Sequence, residues 1–94
     1  MQIDIQSIHF DADKKLLQFI RQKIEKLQTF NHAIQSADIF LRIGPASDAA
    51  NKLVELKLHL PGHVLFASQQ SKSFEEATDL CAESVRRQLE KLKS

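Results

Sequence analysis

Four histidines and one cysteine are the side chains of this sequence best suited to binding a metal ion. The histidines are His9, His32, His59 and His63. His59 and His63 are four residues apart, but they lie on either side of the predicted turn at residues 61–62 and are expected to point to opposite faces of the sheet. Cys81 stands apart from all four histidines in the chain. A structural zinc site brings together about four nitrogen or sulfur ligands. We therefore expect no metal and no other cofactor.

Residues that serve as nucleophiles, acids or bases occur here without suitable neighbours. Cys81 falls on the apolar side of a predicted helix, where a cysteine behaves as a small buried hydrophobic residue. Ser68 has no base at a useful spacing, and the acids Glu75 and Glu76 belong to a solvated helix start. We therefore expect a binding protein and not an enzyme, with no small-molecule substrate.

Positive charge is the remaining chemical feature, and it is concentrated in two segments. The chain carries 13 Lys and Arg against 12 Asp and Glu, a net charge of +1. Residues 14–26 contain five bases and one acid, and residues 86–94 contain four bases and one acid. Two basic helix surfaces lying side by side would bind phosphate. From charge alone, solvated helix faces with bases near the helix ends are the simpler interpretation.

Alternating polar and apolar residues predict strands in three stretches, at residues 2–5, 38–43 and 54–60. A proline-glycine turn at residues 61–62 joins the third of these to a fourth strand. Pairing of Leu60 with His63 in this hairpin would direct Val64 and Phe66 away from the core.

Two amphipathic helices accompany these strands. Asp11 is placed to cap the first, which is predicted to begin at Ala12 and to run to about Thr29. Its apolar stripe consists of Leu16, Leu17, Ile20, Ile24 and Leu27. Ser73 and Glu76 have the spacing of a capping box and begin the second helix. The apolar stripe of that helix consists of Ala77, Leu80, Cys81, Val85, Leu89 and Leu92.

The element order is strand, helix, strand, strand, strand, helix. A helix between the first two strands favours a parallel pair, and short loops make the remaining pairs antiparallel. Each helix has one apolar stripe, so both should pack on one face of a four-stranded sheet. We therefore predict a single α+β domain, a two-layer β-α-β-β-β-α sandwich.

The outer face of this sheet is an alternative binding surface. It is predicted to carry Phe40, Val64 and Phe66, near Arg42, Lys57 and His59. Such a face can stack single-stranded bases, and an apolar patch can equally serve a weak homo-oligomer or a protein partner. The alternative function is therefore an interaction or oligomerisation module of the same fold.

Several classes of protein are excluded by the sequence pattern. No apolar run reaches the ~20 residues of a membrane span, and no signal-peptide pattern opens the chain. Two glycines, Gly44 and Gly62, stand alone and form no nucleotide-binding loop. We expect a cytoplasmic protein with no membrane partner.

Three segments, in this order, resemble one known family. They are KLLQFIRQKIEKLQTF in the first helix, the stretch from Leu65 to Asp79, and the closing pattern Arg87-Gln88-Leu89-x-Lys91-x-Lys93. Together with the length and the element order, they are similar to the ribosome hibernation promoting factors, also called ribosome-associated inhibitors or sigma-54 modulation proteins. The resemblance runs from Met1 to Lys93.

The resemblance implies a double-stranded-RNA-binding-like fold and one ribosome-binding domain over residues 1–94, without the C-terminal dimerisation domain of longer relatives. It implies binding to 16S rRNA of the small (30S) ribosomal subunit near the decoding centre. There the protein would block mRNA and tRNA and inhibit translation during growth arrest. The residues expected to contact RNA are Lys23, Lys26, Arg86, Arg87, Lys91 and Lys93. Arg86 is included for its position alone, outside the matched pattern.

Overall fold

The computed structural model describes residues 1–45 and 49–92, and its elements follow the predicted order. The strands are β1 Gln2–Ser7, β2 Ser36–Ile43, β3 Lys52–Leu60 and β4 His63–Ser71. The helices are α1 Lys14–Glu25 and α2 Phe74–Leu92, and a 3-10 turn at Lys26–Thr29 continues α1. Each of the first three strands is two residues longer than the alternation alone predicts.

The four strands form one sheet in the order β1-β2-β3-β4. β1 and β2 run parallel and are joined through α1, whereas the other neighbouring pairs are antiparallel. In the hairpin of β3 and β4, Leu60 pairs with His63 and Leu58 pairs with Leu65, which is the predicted register. The predicted α+β fold with β-α-β-β-β-α order is confirmed.

One face of the sheet is apolar and carries both helices. Side chains alternate along each strand, so that Ile39, Leu41 and Leu56 point inward and are buried. Ile20 of α1 and Val85 of α2 pack into the same core. α2 lies over β3 and β4, and α1 lies against α2 and β1. Burying each large apolar side chain contributes about 1.5–3 kcal/mol, so the sheet face holds both helices in place.

α1 begins two residues later than the sequence pattern predicts. Its N-cap is Asp13, which has an extended backbone (φ −76°, ψ 166°) and accepts a 2.8 Å hydrogen bond at Oδ1 from the backbone nitrogen of Leu16. The predicted cap, Asp11, is wrong. Ala12 packs against the core ahead of the helix, which leaves Asp13 beside the unpaired amide groups of the first turn.

α2 begins at the predicted cap. Ser73 Oγ accepts a 3.0 Å hydrogen bond from the backbone nitrogen of Glu76. The helix is 19 residues long, and one side of it faces the core. Within residues 1–45 and 49–92, no helix is both long enough and apolar enough to cross a membrane.

The predicted apolar stripe of α2 is wrong at Leu80 and Leu92, which are both exposed. Leu80 precedes Cys81 by one residue, a rotation of about 100° that turns it away from the sheet. Thr78 is buried instead, and its Oγ1 donates a 2.7 Å hydrogen bond to the carbonyl of Phe74. The buried face of α2 therefore includes a polar side chain whose hydroxyl is satisfied within the helix.

Replacing the cap residue by alanine, Asp13→Ala, should lower the free energy of unfolding by about 1 kcal/mol, because a backbone amide of α1 loses its hydrogen-bond partner. The matched variant Asp11→Ala removes the same charge from the same loop and should change that free energy by less than about 0.5 kcal/mol. Urea unfolding followed by circular dichroism measures both. Equal losses in the two variants would contradict the assigned cap.

Candidate nucleic-acid interface

The two helices lie side by side, and their contact brings Arg86 of the second basic segment close to Lys23 and Lys26 of the first. Lys23 of α1 forms an ion pair with Asp79 of α2, with 3.2 Å between Nζ and Oδ1. An open groove of about 310 Å³, here called the interhelical groove, runs between the helices. Its lining residues are Lys23, Lys26, Leu27, Phe30, Asp79, Ala82, Glu83 and Arg86.

Arg86 is held on the wall of this groove by two carboxylates of its own helix. Its Nη2 lies 2.6 Å from Oε1 of Glu83, and its Nη1 binds Glu90. Its guanidinium carbon lies 5.9 Å from the centre of the Phe30 ring, within the range of a cation–π contact. The hydrogen bond and charge of Glu83 raise the pKa of Arg86. The guanidinium is therefore charged and has a defined position beside an aromatic ring.

Glu83 is the counter-ion of two successive arginines. Besides binding Arg86, its Oε1 lies 3.4 Å from Nε of Arg87, whose side chain is 69% exposed. The hydrogen bond from Arg86 lowers the pKa of Glu83, and the charges of both arginines lower it further. A phosphate group that binds either arginine must therefore compete with an ionised carboxylate.

The three predicted interface residues of the outer sheet face fall into two groups. Val64 and Phe66 are neighbours on the outer side of β4 and are 61% and 46% exposed. Phe40 lies on β2 opposite Glu55, whereas Phe66 lies opposite Lys57. Charged side chains of β3 therefore lie between Phe40 and the apolar pair on β4.

Cys81 and His59 each contact a residue of the sheet. Cys81 is fully buried and donates a 3.3 Å hydrogen bond to the carbonyl of Val54, and burial raises its pKa to about 12. Its predicted role as a small buried hydrophobic residue is confirmed. His59 lies 2.8 Å from Asp38 on the outer sheet face. Among residues 1–45 and 49–92, no three His, Cys, Asp or Glu side chains are grouped as metal ligands.

A family model described as "Sigma 54 modulation protein / S30EA ribosomal protein" matches residues 3–94. The chain belongs to this family. The match includes both helices and all but the first residue of the sheet. The resemblance predicted from the sequence is therefore confirmed.

Two solved structures share the fold of this S30EA family member. One is a ribosomal subunit interface protein from Coxiella burnetii, with a TM-score of 0.86 and 24% identity, covering 99% of this chain and 98% of that chain. The other is the N-terminal domain of Protein Y from Thermus thermophilus, with a TM-score of 0.83 and 14% identity, covering 98% of this chain and 99% of that chain. At these identities the likeness shows the fold alone. A comparison with curated protein sequences gave no match.

The bases expected to bind RNA in this S30EA protein are divided between two surfaces. The residues that line the interhelical groove are Lys23, Lys26 and Arg86. Arg87 and Lys91 lie one helical turn apart on α2, are exposed, and are not among the groove residues. Lys93 lies outside the described residues. Arg86, which is outside the family-matched pattern, is thus the α2 base that meets the two lysines of the first helical segment.

The sequence prediction of the site does not include Phe30 or Glu83. The sequence places Phe30 beside the apolar stripe, three residues after Leu27, yet the structure leaves it 37% exposed in the groove. Glu83 precedes Arg86 and Arg87 by three and four residues, the spacing at which opposite charges meet on a helix. That spacing is a signal available in the sequence, whereas the exposure of Phe30 depends on how the helices pack.

Removing the shared counter-ion, Glu83→Gln, should strengthen binding to a polyanion, because Arg86 and Arg87 lose their bound carboxylate. We expect a gain of roughly twofold to fivefold in affinity for heparin, seen as elution from a heparin column at higher salt. The matched control Glu25→Gln makes the same change in net charge at an exposed site of α1. Equal shifts in elution for the two variants would contradict the role assigned to Glu83.

Cys81 should react with an aromatic disulfide reagent roughly 100-fold more slowly in the folded protein than in denaturant. Burial raises its pKa from the usual 9.0 to about 12, so the folded thiol stays neutral. Its contribution to stability is complete below pH 9.0 and is lost as the pH rises toward 12. Absorbance of the released thiolate measures the reaction, and fast labelling of the folded protein would contradict the buried position.

Proposed function

We propose that this protein binds the small ribosomal subunit through its helix surface and inhibits translation while it is bound. The observation that carries the proposal is the meeting of Lys23, Lys26 and Arg86 in one groove of an S30EA family chain. A protein of the same fold is named as a ribosomal subunit interface protein. Family and charge placement together support an RNA-binding role.

Phosphate groups of 16S rRNA are the proposed ligands of this surface. Lysine and arginine neutralise phosphate and release its counter-ions, which gives affinity without reading base sequence. The interhelical groove supplies one set of cations, and the outward face of α2 supplies a second set, Arg87 and Lys91. Because these sets lie on different sides of α2, they would contact separate stretches of the RNA backbone.

Inhibition follows from occupancy of the subunit. A protein bound near the decoding centre fills space that mRNA and tRNA need, so initiation stops and the idle ribosome is preserved during growth arrest. Inhibition by occupancy requires no covalent chemistry. The single cysteine of the chain, Cys81, is buried away from the surface.

A second candidate function is protein interaction or weak homo-oligomer formation through the outer sheet face. Val64 and Phe66 favour it, because both are exposed apolar residues on the edge strand β4. Gln88 Nε2, however, donates a 3.0 Å hydrogen bond to the carbonyl of Phe66 and occupies a group that an added strand would need. The ribosome proposal takes precedence because it uses the family match and both basic segments.

The wild-type protein should sediment with ribosomal subunits at low salt and be released as the salt concentration rises, because phosphate binding is salt-dependent. Charge reversal in the groove, Lys26→Glu, should weaken binding roughly threefold to tenfold. Combined reversal of Arg87, Lys91 and Lys93 to glutamate should abolish binding at moderate salt. Centrifugation through a sucrose gradient measures the bound fraction.

Two variants on the outer face serve as controls for this experiment. Lys57→Glu makes the same charge change as Lys26→Glu at an exposed position of β3, and Phe66→Ser removes an exposed apolar side chain. Both should sediment as the wild type does, and circular dichroism should show that every variant is folded. Wild-type protein that stays at the top of the gradient at low salt would contradict the ribosome proposal. Self-association that is lost in Phe66→Ser would support the second candidate.

A further inference from the structure

We infer that the interhelical groove receives one unstacked nucleobase of single-stranded RNA, which stacks on the ring of Phe30. The inference rests on the proposed function and names the part of the RNA that this site recognises. The groove has a volume of about 310 Å³, at the lower end of the range for small-ligand sites. That volume suits a single flat base, whereas an RNA duplex is too wide to enter.

Part of the groove is apolar, which phosphate binding does not require. Leu27, Phe30 and Ala82 line it together, and the Phe30 side chain remains partly open to solvent. Proteins hold unpaired bases by stacking them on exposed aromatic rings. An exposed ring within a cationic groove is therefore better explained by a base than by a phosphate group.

Arg86 adds a second flat surface beside the ring. Its guanidinium carbon lies 5.9 Å from the centre of the Phe30 ring, and Glu83 and Glu90 hold it there. Guanidinium groups stack on bases as aromatic rings do. Because the carboxylates position this group before RNA arrives, binding loses little side-chain entropy.

The charges of the groove favour a neutral base inside it and phosphate at its border. Asp79 and Glu83 are among the lining residues; carboxylates repel phosphate but accept hydrogen bonds from the N–H groups of bases. Lys23 is already paired with Asp79. Lys26 is exposed and has no ion-pair partner within residues 1–45 and 49–92, so it is the groove cation best suited to the phosphate next to the bound base.

A single fluorophore can test this inference directly. The chain contains no Trp and no Tyr, so Phe30→Trp places a lone indole in the groove. Oligoadenylate should quench its emission by stacking, whereas inorganic polyphosphate should bind the same cations without quenching. Phe66→Trp, on the outer face of β4, is the matched control and should not be quenched by either polyanion.

A second variant tests the inference by binding affinity, without the fluorophore. Phe30→Leu retains an apolar side chain and removes the ring, so the core beneath it is preserved. It should bind oligoadenylate roughly 5-fold to 100-fold more weakly than the wild type, with unchanged affinity for polyphosphate. Phe30→Trp, which keeps a ring, should retain the wild-type affinity for oligoadenylate.

The outcomes separate the base site from the proposed function. In one outcome the Phe30→Trp variant sediments with ribosomal subunits, but its indole emission is quenched neither by the subunits nor by oligoadenylate. That outcome would overturn the base site and leave ribosome binding intact. Equal quenching by polyphosphate and oligoadenylate would also overturn it. If the wild type fails to sediment with ribosomal subunits while oligoadenylate alone quenches Phe30→Trp, the base site stands and the proposed function is wrong.

Discussion

The inner face of the sheet is four strands wide, and with strands about 4.8 Å apart a single helix about 10 Å across cannot cover it. Two apolar stripes are therefore needed, and α1 and α2 lie side by side on this face. Ile20 and Ile24 of α1 and Val85 and Leu89 of α2 are buried there, so the helices cannot separate without exposing the core to water. The interhelical groove is a consequence of this burial.

Packing α1 against α2 brings Lys23 and Lys26 close to Arg86, and acids on α2 offset the repulsion between these cations. Asp79 binds Lys23 across the helix contact, and Glu83 binds Arg86 within α2. Exposed ion pairs of this kind contribute little to stability. Phosphate can therefore replace these carboxylates with little loss of folding free energy. The same acids thus lower repulsion in the free protein and reduce its affinity for polyanions.

The sheet was predictable because alternation along the strands reports directly which side chains face the core, and the Leu60–His63 pair followed from the turn. The start of α1 was not predictable in this way, because Asp11 and Asp13 are equally good cap residues. Only the packing of Ala12 against the core distinguishes them. Charge counting located both basic segments. The meeting of Arg86 with Lys23 and Lys26 in one groove, and the exposure of Phe30, depend on how helices distant in the chain pack together. No local pattern of the sequence encodes that packing.

Glu83 connects the groove to the outward face of α2. It contacts Arg86 on the groove wall and Arg87 on the exposed side, so a ligand that displaces it from one arginine changes the charge around the other. Groups that share a partner in this way are energetically coupled, whereas distant groups act independently. One carboxylate is thus the counter-ion of two arginines. A chain with a net charge of +1 can carry a cationic surface on its helices without being basic as a whole.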